Sequence, residues 1–84
     1  MKLGDEDKKV NSRIEFVTFL QAFREDLKHN PEKWENGDLS SFLEAMAAWI
    51  EDMEGFYLNQ NRPVPDQPTW NVLAEILLAA RVYE

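Results

Sequence analysis

The sequence predicts an all-α fold, a small three-helix bundle with one additional short helical turn. Apolar residues recur at steps of three and four in three separate segments, and each segment is bounded by residues that start or end helices. No stretch shows the alternation of apolar and polar residues that is typical of a strand. With 84 residues, the chain is long enough for one packed core and too short for two domains.

The N-terminal segment differs from the rest of the chain in composition. Residues 1–11 mix lysines with acids and contain few apolar side chains. Burial of such a segment cannot offset its loss of conformational entropy, so we expect a disordered N-terminal tail. The remaining residues, 12–84, are predicted to form a single helical domain.

The first helix is predicted from about residue 13 to residue 29. Ser12 and Glu15 fit a capping box, in which a hydroxyl and a carboxylate satisfy backbone N–H groups at the start of a helix. Pro31 ends the helix, because a proline disfavours helical geometry at the residue before it. The apolar positions that recur at helical spacing are Phe16, Phe19, Leu20, Phe23 and Leu27.

A short helical turn and a long middle helix follow. Residues 30–34 are predicted to form the turn, with Asn30 as its cap. The middle helix is predicted over residues 39–59, with Asp38 as its N-cap, and it continues through Gly55 because the apolar spacing keeps its phase. Its predicted core stripe consists of Leu39, Phe42, Met46, Trp49, Met53 and Phe56, widened on one side by Leu43, Ile50 and Tyr57.

The last helix follows a proline-rich loop, residues 59–68, for which we expect an extended conformation. It is predicted to start near Pro68 or Thr69 and to end at about Tyr83. Ten of the twelve residues between Val72 and Tyr83 are apolar. A helix that is apolar nearly all round needs cover on more than one side. It therefore either lies between the other two helices or offers a face to a partner chain.

The composition excludes several functional classes. The chain has no Cys, which excludes disulfides, thiol chemistry and Cys-ligated zinc. Its single His, His29, is expected to interact favourably with the C-terminal end of the first helix and to have no catalytic role. No glycine-rich phosphate loop, nucleophile motif or calcium loop is present. We therefore expect no enzyme activity, no metal and no cofactor.

The charge and hydropathy of the chain limit its partners. Sixteen acidic residues against nine basic ones give a net charge of −7, which argues against binding to nucleic acid. No apolar run approaches the roughly 20 residues of a membrane span. The first residues also lack the apolar stretch of a signal peptide. We therefore expect a cytoplasmic protein with no membrane association.

The acidic residues are concentrated in the middle of the chain. No Lys or Arg occurs between Trp34 and Asn61, and this window contributes −6 of the net charge. The simplest interpretation is a solvated helix face. However, like charges this close repel each other, and their excess favours an electropositive protein as partner. The candidate partner-binding carboxylates are Glu44, Glu51, Asp52 and Glu54.

Four aromatic residues, Trp34, Trp49, Trp70 and Tyr57, belong either to the core or to a protein interface. Trp49 is in phase with the core stripe and is predicted to be core. Trp34 and Trp70 lie near the predicted ends of the bundle, where an amphipathic ring can cap the core. If exposed, Trp34 or Trp70 would instead anchor a protein interface together with neighbouring aromatics such as Tyr57. We therefore include Trp34, Trp70 and Tyr57 among the candidate partner-binding residues.

One long motif resembles a known family. Its residues are Trp34-Glu35-Asn36, Leu39, Phe42-Leu43-Glu44-Ala45, Ala47-Ala48-Trp49-Ile50-Glu51-Asp52-Met53 and Gly55-Phe56-Tyr57. With the prolines and Trp70 that follow, the pattern resembles a family of small, acidic bacterial proteins of unknown function, over about residues 12–84. The resemblance implies a bacterial, cytosolic, single-domain protein and brings no established activity, substrate or catalytic residue.

Two hypotheses about function follow. The first is a non-enzymatic protein-binding module whose acidic helix face engages a basic partner. An inhibitor or immunity protein that neutralises a basic nuclease is one concrete version. The alternative is a homo-oligomer, such as a homodimer, that associates through the apolar last helix at Leu78 and Val82. A hydrolase that uses the clustered carboxylates is disfavoured, because so small a bundle hardly provides a cleft.

Overall fold

A computed structural model describes residues 9–83 and confirms the all-α fold. Three helices form: α1 at Arg13–His29, α2 at Leu39–Asn59 and α3 at Trp70–Ala80, with a 3-10 turn at Pro31–Lys33 between α1 and α2. The bounds of α1 and α2 are those predicted from the sequence, and α2 continues through Gly55 as expected. Within the described residues no strand occurs.

Helix α3 lies between the other two helices and packs against both of them, whereas the backbones of α1 and α2 do not meet. This is the first of the two arrangements expected for a helix that is apolar nearly all round. One core cluster of buried residues joins α1 to α3 and contains Val10, Phe19, Phe23, Trp34 and Ala74. The other joins α2 to α3 and contains Trp49, Tyr57, Val72 and Ile76.

The core reaches closer to the N-terminus than predicted. Val10 is buried among the residues of the first cluster, and its backbone N–H donates to Asn71 Oδ1 at 2.8 Å. Val10 falls within the segment for which the sequence predicts a tail, because a single valine among charged residues gives no periodic signal. Residues 1–8 of that predicted tail lie outside the described residues.

The N-termini of α1 and α3 are capped by side chains. Ser12 Oγ accepts a hydrogen bond from the Glu15 backbone N–H at 3.1 Å, as the capping box predicts. The Glu15 carboxylate, however, accepts from the backbone N–H of Asn11, one residue before the N-cap, at 2.8 Å. At α3, Thr69 Oγ1 accepts from the Val72 backbone N–H at 3.1 Å. Each bond satisfies a backbone donor at or beside the helix start.

Helix α3 ends at Ala80, three residues earlier than predicted, and Asn36 accounts for the difference. The Asn36 side-chain amide donates to the carbonyls of Ala80 and Tyr83, at 2.9 and 2.8 Å. Its backbone N–H donates to the carbonyl of Arg81 at 3.1 Å. Carbonyls at a helix C-terminus have no partner within the helix. Asn36 supplies these donors, so the last residues can turn away without a loss of hydrogen bonding.

Asp26 connects three elements at one end of the molecule. Its carboxylate accepts from Trp34 Nε1 at 2.8 Å, from Asn30 Nδ2 at 3.2 Å and from an Arg81 guanidinium nitrogen at 3.3 Å. Asn30 is thus engaged with Asp26, and its side chain does not cap the 3-10 turn as predicted. Burial alone would raise the pKa of Asp26, but the donors from Trp34, Asn30 and Arg81 outweigh it and lower the pKa.

The C-terminus of α2 closes in a Schellman motif. The backbone N–H of Arg62 donates to the carbonyl of Tyr57 at 2.9 Å, and that of Asn61 donates to the carbonyl of Leu58 at 3.1 Å. Asn61 has a φ of 55°, in the left-handed region that non-glycine residues seldom adopt. Asparagine tolerates this region better than most residues, so the motif can form without glycine.

We predict that Asp26→Ala lowers the free energy of unfolding by about 2–3 kcal/mol, because Trp34 Nε1 and Arg81 lose a charged acceptor in a half-buried site. Since the pKa of Asp26 is lowered, its contribution is present above the unfolded value of 3.8 and is lost as the pH falls through the folded value. Urea unfolding at neutral and acidic pH measures both effects. Glu25→Ala, on the exposed neighbour, is the control and should cost less than about 0.5 kcal/mol.

We also predict that Asn61→Ala lowers the free energy of unfolding by about 1 kcal/mol, whereas Asn61→Gly leaves it unchanged or raises it slightly. The reason is the positive φ, which alanine adopts only with strain. Thermal unfolding followed by circular dichroism compares the two variants. Equal melting temperatures for the two variants would show that the φ at this position carries no strain.

Candidate functional site

Three of the four candidate carboxylates lie together on the side of α2 that is open to solvent. Glu44, Glu51 and Glu54 are exposed, and none of them pairs with a Lys or Arg within residues 9–83. At about 100° per residue, Glu44 and Glu51 differ by about 20° around the helix axis, and Glu54 lies about 60° from Glu51. We call these three residues the acidic row.

Asp52, the fourth candidate, points away from the acidic row. It follows Glu51 directly and is therefore turned by about 100° around the helix. Its carboxylate accepts a hydrogen bond from the Tyr83 hydroxyl, and this bond raises the pKa of Tyr83. Asp52 is exposed but engaged with the C-terminal segment. The prediction that it shares a face with Glu51 and Glu54 is therefore wrong.

The outer side of α2 also carries apolar residues that the sequence analysis assigned to the core. Leu39, Leu43 and Ile50 are 73%, 53% and 42% exposed. We call these three residues the apolar strip. Helix α2 packs mainly against α3, and its Phe42 also contacts Phe23 of α1. No other described element covers its outer side, so its covered face is narrower than predicted. The residues that are buried or half-buried on that face are Phe42, Ala45, Met46, Trp49, Met53 and Tyr57. Phe56, also assigned to the stripe, is 37% exposed.

The apolar strip and the acidic row are adjacent. Around the helix axis, Leu39, Leu43 and Ile50 fall within about 40° of one another, and Glu54 lies about 20° beyond Leu43. The strip therefore separates the buried face of α2 from the acidic row. Together the strip and the row form what we call the α2 outer surface. The strip was not predicted from the sequence. Leu43 follows Leu39 by four residues and Ile50 follows Leu43 by seven, and these steps place all three residues in a second row along the helix.

The tryptophans occupy three different environments. Trp49 is buried against α3, as predicted. Trp34 is also buried, with its ring centroid 4.6 Å from that of Phe23, and its N–H is bound by Asp26. It caps the core and offers no contact to a partner. Trp70 is 39% exposed and its ring lies 5.6 Å from Phe16 of α1, so it covers the core edge beside α1 and is not part of the α2 outer surface.

Tyr57, proposed from the sequence as a contact residue, is 1% exposed and belongs to the core. Its hydroxyl donates to Glu75 Oε1 at 2.7 Å, and the guanidinium of Arg62 lies 4.6 Å from its ring centroid. Arg62 also pairs with Glu75 at 3.3 Å. Burial, with the bond to Glu75, raises the pKa of Tyr57 to about 12. Tyr57 therefore ties α2 to α3 and cannot touch a partner in this conformation.

In residues 9–83, no three His, Asp or Glu side chains come together in a way that could hold a metal ion. His29 is exposed, with its Nε2 3.1 Å from Glu25. No helix in this part of the chain combines the length and the apolar character needed to cross a membrane.

Comparison with known proteins gives one finding. The model of a family of unknown function, DUF7660, matches residues 12–84. These are the residues over which the sequence resembles a family of unknown function. No match was found among curated proteins or among solved structures.

We predict that Tyr57→Phe lowers the free energy of unfolding by about 1 kcal/mol at neutral pH, because Glu75 loses one donor and keeps Arg62. The pKa of Tyr57 is raised from 10.0 to about 12, so the stability contributed by its protonated hydroxyl is complete below pH 10 and is lost as the pH rises toward 12. Urea unfolding across this range should show a steeper loss for the wild type than for the variant. Tyr83→Phe is the comparison: because the pKa of Tyr83 is also raised, through its exposed bond to Asp52, this variant should remove a smaller part of the loss.

Proposed function

The chain belongs to the family of unknown function DUF7660, and we propose that it is a non-enzymatic module that binds a basic protein through the α2 outer surface. The observation that carries the proposal is the juxtaposition of uncompensated carboxylates and exposed apolar side chains on one helix. In this proposal the protein acts in the cytoplasm of a bacterium, as the sequence resemblance implies.

The acidic row is the feature that supports a partner with a positively charged surface. Among the described residues, Lys and Arg side chains pair with Glu25, Asp26 and Glu75, and none pairs with the acidic row. The negative field of Glu44, Glu51 and Glu54 is therefore not neutralised by ion pairs on the described part of the molecule. A field of this kind speeds the encounter with a basic protein and fixes its orientation more than it adds affinity.

The apolar strip supports a partner that also has apolar side chains. Exposed charge alone gives weak complexes, since each exposed ion pair contributes at most about 1 kcal/mol. Leu39, Leu43 and Ile50 offer apolar area that a partner can remove from water, and burial of such area dominates most protein interfaces. The partner that fits both features presents Lys or Arg beside Leu, Ile, Val or Phe.

An inhibitor or immunity protein is the most concrete form of this proposal. Nucleases bind anionic polymers and are therefore commonly basic around their substrate groove. A small acidic protein can block such a groove without any chemistry of its own. The size of 84 residues and the net charge of −7 are compatible with this role.

The alternative, a homo-oligomer formed through the last helix, has little surface left in this structure. Helix α3 is covered by α1 on one side and by α2 on the other. Leu78 packs against the first core cluster, and of the two residues named for this interface only Val82 is exposed. The described residues therefore favour the α2 outer surface over α3 as the site of association.

We predict that Glu51→Lys combined with Glu54→Lys abolishes the capture of basic proteins from a bacterial lysate, because it reverses the charge of the acidic row. Capture on the immobilised wild type should weaken from low to high salt, and mass spectrometry should identify proteins of high isoelectric point. Circular dichroism checks that the variant is folded.

The matched control is Glu32→Lys combined with Asp66→Lys, which changes two exposed acids outside α2 and gives the same net charge. This control should capture the same proteins as the wild type. If both double variants lose the same proteins, net charge alone explains the capture and the α2 outer surface is not the site. If the amount of captured protein changes neither with salt nor with the charge reversal at Glu51 and Glu54, the proposal is also contradicted.

A further inference from the structure

Helix α1 carries a second exposed row, whose charges are opposite in sign to those of the α2 outer surface. Val17 and Leu20 are 48% and 40% exposed, and the exposed residues Arg13 and Arg24 lie on either side of them along the helix. These four residues fall within about 60° around the helix axis. Neither arginine forms an ion pair within residues 9–83. We call these four residues the α1 basic row.

The dimensions of the two surfaces agree. At about 1.5 Å per residue, Arg13 and Arg24 are separated by about 16.5 Å along α1. Glu44 and Glu54 are separated by about 15 Å along α2. On α1 the exposed apolar residues Val17 and Leu20 lie in line between the two arginines, whereas on α2 the exposed Ile50 lies beside the acidic row. Each helix therefore carries exposed charges at similar spacing with exposed apolar side chains between them or beside them, and the two sets of charges have opposite signs.

We infer that the α1 basic row of one copy of this chain packs against the α2 outer surface of a second copy. The inference deepens the proposed function and rests on it, since it uses the same α2 surface and identifies one partner that has the required chemistry. Within one molecule the two surfaces do not cover each other, because both remain exposed and the backbones of α1 and α2 do not meet.

The local charges favour this contact although the net charge opposes association. Two chains of −7 repel each other at long range. At physiological ionic strength the Debye length is about 8 Å, so this long-range repulsion is largely screened while the pairs in contact still attract. Because α1 and α2 lie on opposite sides of α3, the contact is head-to-tail: each copy can offer its α1 basic row to one neighbour and its α2 outer surface to another. The attraction between copies therefore comes from the charge pairs and apolar side chains in the contact itself, and association increases with protein concentration.

The inference is tested by reversing the charges on one helix at a time and then mixing the two variants, which we call charge exchange. Sedimentation velocity of the full chain at physiological salt, up to about 1 mM, should show concentration-dependent association of the wild type. Arg13→Glu with Arg24→Glu should raise the dissociation constant about tenfold or more, and so should Glu44→Arg with Glu54→Arg. A mixture of the two double variants should associate as the wild type does, since opposite charges then face each other in both contacts.

The control is Lys9→Glu combined with Lys33→Glu, which gives the same net charge as the arginine variant but lies outside the α1 basic row. It should associate like the wild type. A wild type that stays monomeric up to about 1 mM would overturn the inference, as would a mixture that fails to restore association.

The outcome also separates this inference from the proposed function. If the wild type is monomeric but its capture of basic proteins depends on Glu51 and Glu54, the inference fails and the proposed function stands. If charge exchange restores self-association while no basic protein is captured, the inference stands and the proposed binding to a different protein fails.

Discussion

The apolar surface of α3 is the constraint on which the rest of the structure depends. A helix that buries side chains on several sides must have neighbours on more than one side, and α1 and α2 supply them. Phe19 and Phe23 of α1 and Trp49 and Tyr57 of α2 pack toward α3, and Phe42 at the start of α2 contacts Phe23. The outer sides of α1 and α2 are left uncovered, which is why leucine, isoleucine and valine are exposed there.

Polar contacts fasten the ends of the helices to this arrangement. Asp26 joins α1 to the segment after α3, Asn36 binds the carbonyls at the end of α3, and Glu75 holds Arg62 and Tyr57 at the end of α2. These polar groups are partly buried, and a partly buried carboxylate is tolerated when it has donors around it. The acids with cationic partners therefore lie where two elements of the fold meet or near the end of α1. The acids of α2 have no cationic partner among the described residues.

The sequence predicted the helices well because their signals are local. Ser12, Pro31 and Thr69 act within a few residues of themselves, so caps and stops could be recognised without the fold. The limits of the face that α2 buries could not be predicted, because apolar residues at steps of three and four trace two overlapping rows and only the neighbouring helix selects one. Asn36 acts on carbonyls 44 and 47 residues away, and no local signal marks such a contact.

The same reasoning explains what changed in the candidate site. Glu44, Glu51 and Glu54 were predicted as candidates because no Lys or Arg occurs between Trp34 and Asn61, and the three are exposed, as is usual for charged residues on a helix. Asp52 and Tyr57 were placed incorrectly because their partners, Tyr83 and Glu75, come from α3 and the segment after it. Trp34 caps the core, which is the first of the two roles expected for it. An acidic row gives orientation without much affinity, and an apolar strip gives affinity without orientation. Because α3 leaves both on the outer side of α2, one exposed helix surface combines the two requirements of specific protein binding.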